Sequence, residues 1–218
     1  MRAGSSRRVA ALLALGATLA AAGCGSGAGS SSADLRLQRE DLIATARALS
    51  QVRPEAASEI AATKAAWPLV ANGLPSGGQG RTQIATATRT ARALRLPSLF
   101  TEQRAAGLTG PGSSLAGTYR DYVGLAGTGW TMIEHALTLS GSGASFARAN
   151  SPLYIESVYD GHFGLAQIGK NLLAGYEKLG GPAAFGKALT QAEVARLAAA
   201  YSEPAARLHP HPGVKLGS

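Results

Sequence analysis

The chain has 218 residues, 21 Lys+Arg against 13 Asp+Glu and a formal net charge of +8. Its one cysteine excludes a disulfide framework within a single chain. The mild positive balance suits contact with anionic head groups or wall polymers and does not call for nucleic acid.

Residues 1–23 read as an export signal. Arg2, Arg7 and Arg8 make a basic start, and an apolar run extends from Val9 to Ala22. That run falls short of the roughly 18–20 residues a spanning helix needs. It ends in Ala21-Ala22-Gly23-Cys24. Small residues before a cysteine admit the chain to a signal peptidase, and the thiol is the nucleophile that takes up diacylglycerol. This segment resembles the lipobox of bacterial lipoproteins. Ala21 stands where that motif usually has Leu. The resemblance implies that Cys24 is lipidated and that the protein sits in the bacterial cell envelope, facing outside the cytoplasm. Acyl chains on the amide and the thioether would supply the two anchors that stable attachment needs. Ser6-Arg7-Arg8 is also similar to the start of a twin-arginine signal, and both export routes stay open.

Three of the 21 Lys+Arg lie in the signal, which leaves 18 against 13 acids and a mature balance of +5. The Gly/Ser-rich residues 24–33, lipidated Cys24 included, form a flexible tether by composition. Residues 34–202 are predicted to be the folded domain, and 203–218 a Pro/His-rich tail.

The body shows no sustained β alternation. Leu35, Leu42 and Leu49 are seven apart and predict a helix over about 34–51. Pro54 is expected to open a new helix carrying Ile60, Trp67 and Leu74, which Pro68 should bend. A third helix over about 82–95 presents Ile84, Ala87, Ala91 and Leu94. A short helix follows near 98–106. The next helix runs from about Ser114 to Leu139. Its seam is Tyr119, Tyr122, Ala126, Gly129, Ile133 and Ala136. Another is expected to start with Ser151 as N-cap and Pro152 at its first position. Its seam is Ile155, Val158, His162, Leu165, Gly169, Leu172, Tyr176 and Leu179, and Gly180-Gly181-Pro182 should stop it. Thr190-x-x-Glu193 is a capping box that opens a last helix. The predicted fold is all-α: a helical bundle with about four long helices plus shorter terminal helices.

Eight glycines in the two long helices each cost roughly 1 kcal/mol against Ala. They are Gly117, Gly124, Gly127 and Gly129 in one helix, and Gly161, Gly164, Gly169 and Gly175 in the other. Close helix approach accounts for them most simply, and room for a ligand between the helices is the alternative.

His162 lies on an apolar seam. If the two long helices pack side by side, it could meet Glu134, His135, Glu156, Tyr159 and Asp160 as a transition-metal or haem site. Neither helix has the Glu-x-x-His pair of bundle di-metal proteins. Gly161-His162-Phe163-Gly164-Leu165 lacks the Gly-x-His-x-x-Glu motif of the imelysin-like iron-uptake lipoproteins. His209 and His211 make a second candidate metal pair in the tail. Arg81, Arg89, Arg92 and Arg95 form a basic stripe, either a solvated face or a contact for anionic lipid or wall polymer. No nucleophile elbow or phosphate-binding loop is present. The sequence therefore predicts no enzyme and no resident cofactor. It predicts a lipid-anchored module that binds an envelope protein, wall polymer or anionic lipid. A metal- or haem-binding lipoprotein centred on His162 is the alternative.

Overall fold

The computed structural model describes residues 31–76 and 78–205, with side chains as far as 202. The signal, Cys24, most of the tether, and His209 and His211 lie outside the described residues. Among those described there are seven helices and no strand. They are α1 (Ser32–Val70), α2 (Arg81–Arg92), α3 (Ser98–Ala105), α4 (Pro111–Ala136), α5 (Gly141–Lys178), α6 (Gly181–Phe185) and α7 (Gln191–Ala205). The fold is an all-α bundle. No helix among the described residues is long and apolar enough to cross a membrane.

α1 begins earlier than predicted, at the end of the expected tether. Ser31 accepts from the Asp34 amide at 3.1 Å, and Asp34 accepts in turn from the Ser31 amide at 3.1 Å. This reciprocal box satisfies two amides that a helix start leaves open.

Two predicted boundaries do not exist. α1 runs through Pro54 and Pro68 for 39 residues. A proline leaves unpaired the carbonyl four residues back. For Pro54 and Pro68 those belong to Ser50 and Lys64, both exposed residues, so neither break falls on the buried face. α5 likewise starts at Gly141, ten residues before Ser151, and carries Pro152 inside it. Pro152 deprives the Arg148 carbonyl of its amide partner. The buried Ser151 hydroxyl donates to that same carbonyl at 2.8 Å and replaces the lost bond.

α4 and α5 lie antiparallel and form the most extensive pairing in the bundle. Every seam position predicted for these two helices is buried. The close-approach account of the glycines holds at four of the eight. A Cβ on Gly129 would come within 2.6 Å of Val158, one on Gly161 within 3.2 Å of Ala126 and Leu125, and one on Gly175 within 2.7 Å of Pro111. A Cβ on Gly169 would fall 2.3 Å from the Ala198 carbonyl of α7. These glycines are filled by neighbouring helices, so they leave no ligand space. Gly117, Gly124, Gly127 and Gly164 meet no such close neighbour.

Two apolar clusters form the core. The larger gathers Leu42–Ile60 of α1, the first half of α4, the second half of α5, and α6 with α7. The smaller gathers Ala66–Ala71, Ile84, Ala87 and Ala91 of α2, Trp130, Ile133, Ile155 and Val158. α5 ends on Leu179, whose carbonyl accepts from Arg39 Nε at 2.8 Å. α7 opens on the predicted capping box, in which Glu193 accepts from the Thr190 amide at 2.8 Å and Thr190 from the Glu193 amide at 3.3 Å.

Candidate functional site

The buried face of α1 steps through Val52, Ala56, Glu59, Thr63, Ala66 and Val70 by alternating fours and threes. Two of these six residues are polar, and they lie where the two apolar clusters meet. Glu59 is 0 % exposed and His162 1 % exposed. Three donors converge on the Glu59 carboxylate. The Thr63 hydroxyl donates to Oε1 at 2.7 Å, the Tyr122 hydroxyl to Oε2 at 2.5 Å, and His162 Nε2 lies 3.1 Å from Oε1. Thr63 accepts from Trp130 Nε1 at 2.8 Å, and the Trp130 carbonyl accepts from Thr88 Oγ1 at 3.1 Å. The network thus ties α1, α2, α4 and α5 together through side chains.

Burial acts to raise the Glu59 carboxyl. The attraction of His162 and the hydrogen bonds from His162, Tyr122 and Thr63 outweigh it and hold Glu59 below the ordinary carboxylate value. An ionised carboxylate only accepts, which agrees with three donors around it. His162 Nε2 is then the donor, and its Nδ1 has no hydrogen-bond partner among the described residues. Tyr122 is pushed well above 10 by burial and then by the adjacent Glu59 charge. Its ring meets His162 edge-on at 5.5 Å and Tyr119 at 5.7 Å between centroids.

The residues predicted to converge with His162 do not do so. At 100° per residue, Asp160 and Glu156 lie roughly 160° and 120° around α5 from His162. Asp160 is exposed and Glu156 half-buried on that outer side. Burial raises the Asp160 carboxyl. Glu134 and His135 are at least twelve residues past Tyr122, roughly 18 Å along α4. His135 is exposed and Glu134 half-buried. Tyr159 is half-buried and stacks on the exposed Phe163 at 6.3 Å. Among the described residues no three His, Cys, Asp or Glu side chains are grouped to hold a metal ion. Glu59 and His162 supply two ligands where a protein zinc site uses at least three. The close contacts at Gly129 and Gly161 leave no slot for a porphyrin beside His162.

The basic stripe is engaged at the surface. Arg81 donates to the Leu137 carbonyl at 3.0 Å, Arg89 to Thr86 at 3.4 Å and Arg92 to Thr131 at 3.1 Å. Arg95, beyond the end of α2, pairs with Glu55 of α1. Arg81 and Arg148 also line a cleft of about 490 Å³ with Leu74, Pro75, Leu137 and Leu139.

Comparison with family models, with curated proteins and with solved structures finds no match for this chain. What stands is the class of fold: an all-α bundle with a sealed Glu–His–Tyr–Thr–Trp network at its waist.

Proposed function

We propose that the chain is an exported, lipid-anchored envelope protein whose helical domain is a non-enzymatic interaction module. One observation carries the second half of this proposal. The cluster with acid–base character, Glu59 with His162, is shut inside the bundle, where the bond between them joins α1 to α5. A substrate has no approach to it. Work on a partner then falls to the outer surface, in contact with an envelope protein, wall polymer or anionic lipid. The basic start, the apolar run and Cys24 support the anchored half.

Expression of the full chain in a bacterial host tests both halves. The wild-type chain is expected in the membrane fraction and the Cys24→Ser variant in the soluble fraction. Purified protein is expected to carry no stoichiometric metal and no visible absorption band. A wild-type chain that stays soluble overturns the anchored half. One metal or haem per chain, lost in His162→Ala, overturns the non-enzymatic module in favour of a metal- or haem-binding lipoprotein.

A further inference from the structure

α4 has a second seam, and it faces water. Asp121, Leu125, Thr128, Met132, His135 and, just past the helix, Leu139 alternate steps of four and three, and all six are exposed. This is the stride by which one helix packs along another. A solvent face ordinarily carries Lys, Glu and Arg. Here the five residues of the seam within α4 include one acid and one histidine. Exposed apolar side chains of α5 continue the patch, with Phe146 68 % and Leu153 51 % exposed. Scattered exposed Leu residues need no explanation, but a contiguous apolar face marks an interaction site.

The glycines give an independent indication. Gly124 is exposed on this side of α4, and a Cβ there would meet nothing within 4 Å. Gly117, one heptad earlier, would meet only the flexible end of Arg120, at 3.7 Å. Packing within the chain explains neither, although glycine weakens a helix interior. Close approach of a helix from outside would explain both.

Charge says which helix. Asp121 and His135 end the seam symmetrically about Thr128. Arg120 and Glu134, both half-buried on one flank, are symmetric about Gly127. A two-fold axis near Gly127–Thr128 that pairs α4 antiparallel with a copy of itself brings Asp121 toward the partner's His135. It also brings Arg120 toward the partner's Glu134. Each contact occurs twice, as an isologous interface requires. The apolar positions meet in the roughly 21 Å between these charged ends. The rim carries both signs, Asp121 and Glu134 beside Arg120 and the Arg92 that bonds Thr131, which suits a self-complementary contact better than the uniformly basic face that docks on an anionic bilayer.

We propose that the outer face of α4, flanked by α5, is a homodimer interface in which α4 packs antiparallel on α4 of a second copy. The proposal stands whether or not the chain is anchored.

The described residues lie in one compact unit, and the chain from Ser31 onward suffices for the test. Sedimentation equilibrium is expected to find a dimer, and Leu125→Glu and Met132→Glu, both on exposed positions, to weaken it at least about tenfold with unchanged circular dichroism. Arg120→Glu should weaken it as well, and adding Glu134→Arg should restore it. Thr128→Cys, the sole thiol in this form because Cys24 is absent, should oxidise to a disulfide-linked dimer across the axis. A monomer at about 100 µM overturns the proposal. So does a dimer indifferent to Leu125→Glu, or one in which Thr128→Cys does not cross-link. Monomeric protein that sediments with lipid vesicles would instead assign the face to a membrane.

Discussion

Replacing Glu59 by Leu removes the one acceptor shared by three buried donors. Tyr122 and His162 Nε2 lose their bonds outright. Thr63 keeps its bond from Trp130 but has no acceptor for its own proton. Leaving a buried polar group unsatisfied costs about 1–3 kcal/mol, and breaking a buried ion pair from one side costs about 3–5 kcal/mol. The loss should be about 4 kcal/mol, a large part of the ~5–15 kcal/mol that holds a domain folded. With a urea dependence of about 2 kcal/mol/M, the midpoint falls by about 2 M. Urea unfolding followed by far-ultraviolet circular dichroism and by tryptophan fluorescence measures the shift. His162→Leu should also be costly. The double variant Glu59→Leu/His162→Leu should cost less than the sum of the two singles by at least about 1 kcal/mol, because the second change removes a group the first had stranded. pH supplies a further check. Glu59 is held below its ordinary value of 4.5 in the folded chain. As pH falls the unfolded chain therefore takes up this proton first. The stabilisation is present above 4.5 and disappears as acid titrates Glu59 in the fold. Glu59→Leu should lack that part of the acid slope. A cost under about 1 kcal/mol, or strictly additive single variants, would refute the network as a source of stability.

Two more outcomes follow from groups around this core. Burial raises Tyr119, Tyr122 and Tyr201 above their ordinary value of 10. A raised group stabilises the fold below its unfolded value and loses that contribution as pH rises toward the folded one. Above pH 10 the unfolded chain sheds three protons that the fold retains, so stability should drop by up to about 4 kcal/mol per pH unit. Absorbance at the phenolate band should show these three ionising together with loss of helicity, and ionisation in the intact fold would contradict their burial. The glycines of α4 and α5 should separate in a paired substitution. Gly169→Ala drives a Cβ into the Ala198 backbone and should cost about 1–3 kcal/mol. At Gly127 a Cβ meets the nearest backbone at an ordinary 4.0 Å, so Gly127→Ala should gain up to about 1 kcal/mol. Thermal unfolding of both variants measures the contrast, and equal effects would defeat the close-approach account.

The seams of α4 and α5 were legible in the sequence because large apolar residues recur there at steps of three and four. The helix starts expected at Pro54 and Pro152 are absent because each proline is accommodated inside a longer helix. Pro54 and Pro68 point outward, and Ser151 repairs the break at Pro152. None of this appears in a pattern of apolar spacing. The candidate site was half legible. His162 is legible as a polar residue on an apolar seam, but the spacing along α4 and α5 points only to partners on those two helices. Helical rotation turns Glu156 and Asp160 away from it. The real partner lies 103 residues away in the chain. A signal for Glu59 was present in Val52, Ala56, Glu59, Thr63, Ala66 and Val70, an unbroken seam with a carboxylate in it. The stride through Ile60, Trp67 and Leu74 sits one residue out of phase with that line and passes Glu59 by.

The position of the network between two apolar clusters gives it a task that apolar packing performs poorly. Ala, Leu and Ile on one helix can slide along another by a turn at modest cost, since one apolar contact replaces another. A slide of one turn, about 5.4 Å, would carry Glu59 out of reach of Tyr122 and His162 together. It would strand a buried charge and at least two donors. Polar groups buried in a helical core are best attested in this role, fixing register at some expense of stability. The register of α1 against α4 and α5 also sets the rotation of α4 about its axis. When Tyr122 and Trp130 are held inward by Glu59 and Thr63, Leu125, Thr128 and Met132 are obliged to face out. The same hydrogen bonds that close the inside of the bundle to substrates thus decide which face of α4 is offered to a second copy.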